Sequence, residues 1–317
     1  MVRSGVRNRS FWCGTVTFLA QKICRPAMLT GERKRMWHPI ADRRQSHQQR
    51  SEAKLGALMQ TRGPLVGRCN ICGDVRKLSE DHTPPKGVVR VGKLELHHIT
   101  RRLSPDSPPE KWRSFQNGIK YRTLCETCNN GLGTHDDTAL IEFSHLVHSV
   151  MKSEWPVSAG SLRPQNIMRS VIGHLCAQGV GRYLKGDRTE LIAWYMTDRR
   201  LTLPSSLKVF WWTYPFKHQV LARDCAFMDL PSGHPVSIWI MKFFPLAFIV
   251  VFDCPREIRF PANELSLYRD FASDQVGTIQ IDCRSTLPPD WPEAPRGDSI
   301  ILYGPEAAFA QESSSAR

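Results

Sequence analysis

Cys69-Asn70-Ile71-Cys72, Glu80-Asp81-His82-Thr83-Pro84-Pro85-Lys86 and Leu124-Cys125-Glu126-Thr127-Cys128-Asn129-Asn130 are the parts of one stretch, 69–130, whose reading decides the fold. Each C-x-x-C pair sets two thiolates on a tight turn, and neither completes a tetrahedron alone. Together they do, with sulfur selecting a soft or borderline metal such as Zn²⁺. The pairs stand 52 residues apart, which demands an inserted loop. A redox role for C-x-x-C requires a surrounding βαβ pattern that neither copy has. A bare zinc ribbon accounts for the cysteines but leaves Asp81, His82 and Asn129 without a role.

Outward from the cysteines, Gly63-Pro64 opens a knuckle-like turn, and Leu78 to His82 reads as a short strand stopped by Pro84-Pro85, since proline cannot donate to a ladder. A hairpin is expected around Val88 to Leu96, then a loop with Pro105, Pro108 and Pro109, then a second strand over Gly118 to Leu124. A short helix from Glu126 carries Cys128 and Asn129 and is expected to end near Gly131 to Gly133. Thr134 is then the expected N-cap of an amphipathic helix through Leu140, Phe143, Leu146, Val147 and Val150, with Asp136 and Asp137 in its first turn.

Beyond Pro156, apolar residues recur at helical spacing over Gln165 to Leu184. Runs at 190–197, 207–214, 218–227, 236–242 and 246–252 are rich in β-branched and aromatic residues and predict an antiparallel sheet. Trp211, Trp212, Tyr214, Phe216 and Trp239 in these runs suit a core better than a base-stacking platform, given the neutral-to-acidic charge around them. The expected class is α+β: a basic, disordered tail over 1–60, a strand-strand-helix metal module over 61–155, a helix-plus-antiparallel-sheet domain over 156–287, and a frayed tail over 288–317.

The net charge of +13 suggests a polyanionic partner until it is located. Residues 1–60 carry 12 basic and 3 acidic side chains, residues 61–135 carry 13 and 7, and residues 136–317 carry 18 and 20, so only the motif region is both structured and basic. Arg90, Lys93, Arg101, Arg102, Lys111, Arg113, Lys120 and Arg122 are its candidates for a phosphate backbone. The other six cysteines, Cys13, Cys24, Cys176, Cys225, Cys254 and Cys283, are scattered and read as free thiols in a reducing cytoplasm. Phe11 to Ala20 mimics a signal peptide but lacks a small-x-small cleavage site, and an internal start such as Met59 is an option. Phe243 to Phe252 is strand length, so no membrane partner is expected.

The quoted residues resemble the HNH endonuclease family, in particular its cysteine-bearing branch of the phage endonuclease VII type, over about residues 66–150. The resemblance implies a ββα-metal unit braced by a structural four-cysteine zinc (Cys69, Cys72, Cys125, Cys128). It further implies that Asp81 and Asn129 hold a catalytic Mg²⁺ or another divalent cation, and that His82 is the general base in hydrolysis of a nucleic acid, DNA first. Oxygen ligands suit a hard cation, and an imidazole is neutral near pH 7. Asn117 lies three residues from the position the family's middle asparagine takes, and is a candidate for fixing the loop. His135, Asp136 and Asp137 are alternative ligands if the helix continues through Gly131 and Gly133, although two glycines favour a break. His97 and His98 are expected to be solvated loop residues, and His145, His148 and His174 partly buried helical ones. The alternative from another class is a non-catalytic zinc module that binds nucleic acid or protein.

Overall fold

The computed structural model describes residues 59–88, 92–103, 112–184, 187–295, 297 and 299–313, all of them in one compact unit. The expected tail up to residue 58, with Cys13, Cys24 and the Phe11–Ala20 run, lies outside the described residues. So do Arg90, Lys111, the prolines of 105–109 and the turn of the hairpin expected over 88–96.

Strands β1 (Val66–Arg68) and β2 (Val75–His82) pair antiparallel around the first cysteine turn. The turn closes through Cys69 N–H to Asp74 O and Gly73 N–H to Cys69 O, with Gly73 at φ 75°, where only glycine lacks a steric penalty. Strand β3 (Leu94–His98), helix α1 (Ile99–Leu103) and β4 (Arg113–Phe115) fill the insertion between the cysteine pairs. Strand β5 (Lys120–Cys125) then returns antiparallel to β2, with a bulge at Ser79/Glu80.

Helix α2 (Glu126–Gly131) starts where expected, but the chain does not break at the glycines. It passes through a π-helical turn, Leu132–Asp136, directly into α3 (Asp137–Lys152), so Thr134 lies inside a continuous helical path and caps nothing. Gly131 keeps helical angles (φ −59°, ψ −44°). The cost of about 1 kcal/mol per helical glycine is opposed here by burial of Leu132.

After β6 (Val157–Leu162), α4 (Pro164–Ala177) begins with proline in its first turn, where no N–H is lost. It stops short of the expected Leu184 because Gly179 and Gly181 take positive φ. Residues 190–197, expected as a strand, belong to α5 (Asp187–Thr197). Ile192 and Tyr195 are buried three residues apart while Leu191 and Trp194 face out, a helical period that overrides β-propensity.

The remaining runs form strands as expected: β7 (Leu207–Thr213), β8 (Gln219–Asp229), β9 (His234–Phe243) and β10 (Leu246–Phe252). With β11 (Asn263–Glu264), β13 (Ser299–Leu302) and β14 (Ala308–Glu312) they build a nine-stranded sheet in the order β11-β7-β10-β9-β8-β14-β3-β4, with β13 also on β8. Strand β12 (Gly277–Asp282) pairs with β6.

Three further expectations are corrected by these contacts. Residues 299–312 are not a frayed tail, because β14 is hydrogen-bonded on both sides, to β3 and to β8. Lys242 Nζ also clamps the segment before β13, bonding Glu293 Oε2, Pro289 O and Trp291 O. Nor does residue 155 divide the chain, since the large sheet takes β3 and β4 from one side of it and the other strands from the other side. His97 and His98, expected in solvent, are buried in β3, where His98 bonds Thr100 Oγ1 and Gly304 O.

Trp211, Trp212, Tyr214 and Trp239 are core residues. Phe143 of α3 packs edge-on against Trp211, and Phe216 packs against Tyr214. No helix among the described residues is long and apolar enough to cross a membrane.

Candidate functional site

The two cysteine turns meet because β2 and β5 are paired: Leu78 faces Cys125, which places the turn before β2 beside the turn that ends β5. The sulfurs of Cys69, Cys72, Cys125 and Cys128 lie within 4.8 Å of one another. A tetrahedral zinc with Zn–S bonds of about 2.3 Å requires sulfurs about 3.8 Å apart, and Cys72 Sγ stands 3.9 Å from Cys125 Sγ. The Cys125 N–H points at Cys69 Sγ at 3.3 Å, a donor that stabilises a thiolate.

Without a cation the four sulfurs cannot all be thiolates. A hydrogen bond from Cys128 holds Cys69 down at about 5, while burial pushes Cys72 up to about 12, and the bond to Cys69 together with burial raises Cys128 further. The quartet therefore fits a zinc ion in both distance and charge. Among the described residues it is the only group of three or more His, Cys, Asp or Glu side chains close enough to share an ion.

Asp81 and His82 end β2, opposite Tyr121 and Lys120. Successive side chains of a strand leave on opposite faces. Asp81 turns inward, 6% exposed, and its Oδ2 is 2.9 Å from His174 Nδ1 on α4. His174 is fully buried, and its Nε2 is 2.9 Å from Asp137 Oδ1, which also accepts the Ser170 hydroxyl at 2.7 Å. Burial alone would lower the His174 pKa, but the two carboxylates outweigh it and lift it to about 10. The same imidazolium, with the Ser170 bond, holds Asp137 below the usual carboxylate range despite burial.

His82 lines a cavity of about 10 Å³ with Thr83, Pro85, Lys86, Gly118 and Gln219, room for about one water. Its Nε2 is buried and has no hydrogen-bond partner. The Asn117 backbone carbonyl, which can only accept, favours the protonated ring. Burial first, then Lys120 and Lys86, lower the His82 pKa below its ordinary value against Asp81 and that carbonyl.

Asn129, in α2, donates its amide nitrogen to Ser79 Oγ (3.0 Å) and Glu80 O (3.3 Å). The Glu80 carbonyl cannot donate, so Nδ2 faces β2 and Oδ1 lies outside both bonds. Asn129 is thus tied to the residue before Asp81, while His82 occupies the opposite face of the strand.

The helix does run through the glycines, yet Asp136 and Asp137 go to separate partners. Asp136 is held by Arg199 at 2.9 Å, with burial pushing its carboxyl up to about 6, and Asp137 by His174. His135 lines a cleft of about 420 Å³ beside Cys72 and Cys128. Of the candidate phosphate contacts, Arg113 and Arg122 are committed to Thr61 Oγ1 and Gly63 O.

His174 has a closer connection to Asp81 than its helical position suggested. Its partners lie 93 and 37 residues away in sequence, and a lone histidine in an apolar helix carries no signal of them. No family model, no curated protein and no solved structure matches the chain.

Proposed function

We propose that the chain is a metal-dependent endonuclease that hydrolyses phosphodiester bonds of a nucleic acid, with His82 as general base. The observation that carries this reading is the bare Nε2 of His82 at a one-water cavity lined by Lys86, with burial and the charges of Lys120 and Lys86 favouring the neutral ring. A neutral imidazole can take a proton from water, and flanking lysines both keep it neutral and favour a phosphate beside it.

Asp81 and the Oδ1 of Asn129 would hold the divalent cation, which supplies neutralisation of charge developing on the phosphate when bound. The bonds from Asn129 Nδ2 to Ser79 and Glu80 leave that oxygen outside both of them, next to the residue that precedes Asp81. The four cysteines serve as the brace that keeps β2, β5 and α2 together.

His82→Ala should lower Mg²⁺-dependent nicking of plasmid DNA by about 10²–10⁴-fold, with zinc content and melting temperature unchanged. Wild-type activity should rise with pH through a midpoint below the ordinary histidine value of 6.5. Undiminished nicking by a pure His82→Ala preparation overturns the mechanism. Nucleic-acid binding without cleavage by the wild-type protein supports the non-catalytic zinc module instead.

A further inference from the structure

Three elements distant in sequence meet at one imidazole ring. Asp81 of β2 and Asp137 of α3 each lie 2.9 Å from a different nitrogen of His174 on α4, and Ser170, one turn earlier on α4, donates to Asp137 at 2.7 Å. With both nitrogens engaged, the ring cannot turn without losing a bond to a carboxylate. Gly173 lets α4 approach the π turn that leads into Asp137: a Cβ there would stand 2.4 Å from Leu132 Cδ2.

Stability is a poor reason for this arrangement. Replacing a buried ionic group by well-packed apolar residues is often neutral or stabilising, because desolvation offsets much of the attraction. What the triad does supply is direction. It engages Oδ2 of Asp81 and so restrains the carboxylate, on the residue next to the one that Asn129 grips.

We propose that His174 is a positioning residue that presents the Asp81 carboxylate to the divalent cation, with Asp137 and Ser170 fixing its ring; this rests on the endonuclease reading above. The helical part of the chain beyond residue 136 is then part of the active centre and not an accessory to it.

The test is a Mn²⁺ titration of the full chain, without nucleic acid, followed by electron paramagnetic resonance. Circular dichroism and zinc content serve as folding controls. His174→Gln retains a donor but cannot bridge both carboxylates, and removing an outer partner of a metal ligand typically costs 10–100-fold in affinity. Folded His174→Gln should bind Mn²⁺ at least 10-fold more weakly than wild type, and its nicking should be restored by raised Mn²⁺. Should that variant not fold, Ser170→Ala removes only the last bond of the chain and should weaken Mn²⁺ binding by a smaller factor.

Unchanged Mn²⁺ affinity in a folded variant overturns the role of His174 if Asp81→Ala loses Mn²⁺ binding. If wild type binds no Mn²⁺, or Asp81→Ala binds it as tightly as wild type, the metal reading of Asp81 fails and the positioning role fails with it.

Discussion

The three-stranded sheet around the cysteines and the nine-stranded sheet are stabilised by different means. In β2 the first three residues are exposed and only Leu78 and Asp81 are buried, whereas every residue of β10 is buried. The large sheet rests on apolar burial and aromatic packing, as where Phe248 meets Phe143 and Phe243. The small sheet buries Leu78, Tyr121 and Leu124 but leaves much of β1 and β2 exposed, and the four sulfurs at its end would repel one another as thiolates until a cation joined them. Within one compact unit, the sheet with the more exposed strands carries the candidate chemistry, and the larger sheet contributes the fully buried β10.

Cys128→Ser is the largest perturbation of that contrast. A structural zinc contributes about 10–16 kcal/mol of apparent binding free energy in small domains at pH 7, so the variant should lose zinc and amide protection across β2 and β5 while β7 to β10 stay protected. Hydrogen exchange read by mass spectrometry checks this, and simultaneous loss in both sheets would remove the distinction.

Phe248→Ala tests the other side. It should cost about 3–5 kcal/mol from cavity formation, visible as a lower denaturation midpoint with zinc stoichiometry intact. Loss of zinc in this variant would show that the large sheet also holds the cysteines together.

The smallest effect is one of pH. Burial, then Arg102 and Lys242, depress His218 to about 3. An unfolded histidine takes up its proton near 6.5, so between those values the unfolded chain binds more protons and stability falls as the solution is acidified. His218→Gln should flatten the decline in denaturation midpoint between pH 6.5 and 3. An identical slope would place the acid sensitivity elsewhere.

Much of this was legible in the residues. Cys69, Cys72, Cys125 and Cys128 converge as their spacing implies, because a C-x-x-C turn presets two ligands locally and only one pairing of turns remains. The fully apolar β10 and its neighbours were equally clear. The helix at 190–197 was not, since Leu191, Ile192 and Trp194 suit a strand equally well and only the face they pack against decides. The strand at 308–312 is short and was legible only as a partner for β3 and β8. Lys242 and Glu293 gave no sign of their ion pair across 51 residues.

By itself the sequence determined the pieces whose physics is local: the cysteine turns, the apolar strands and the adjacency of Asp81 to His82. Tertiary structure alone decided that Asp81 is bound by His174, that Asn129 is tied to the Glu80 carbonyl, and that His82 retains an unpartnered nitrogen. Those outcomes depend on which distant groups arrive within about 3 Å, the range over which a hydrogen bond acts, and no residue's identity encodes its neighbours at that distance.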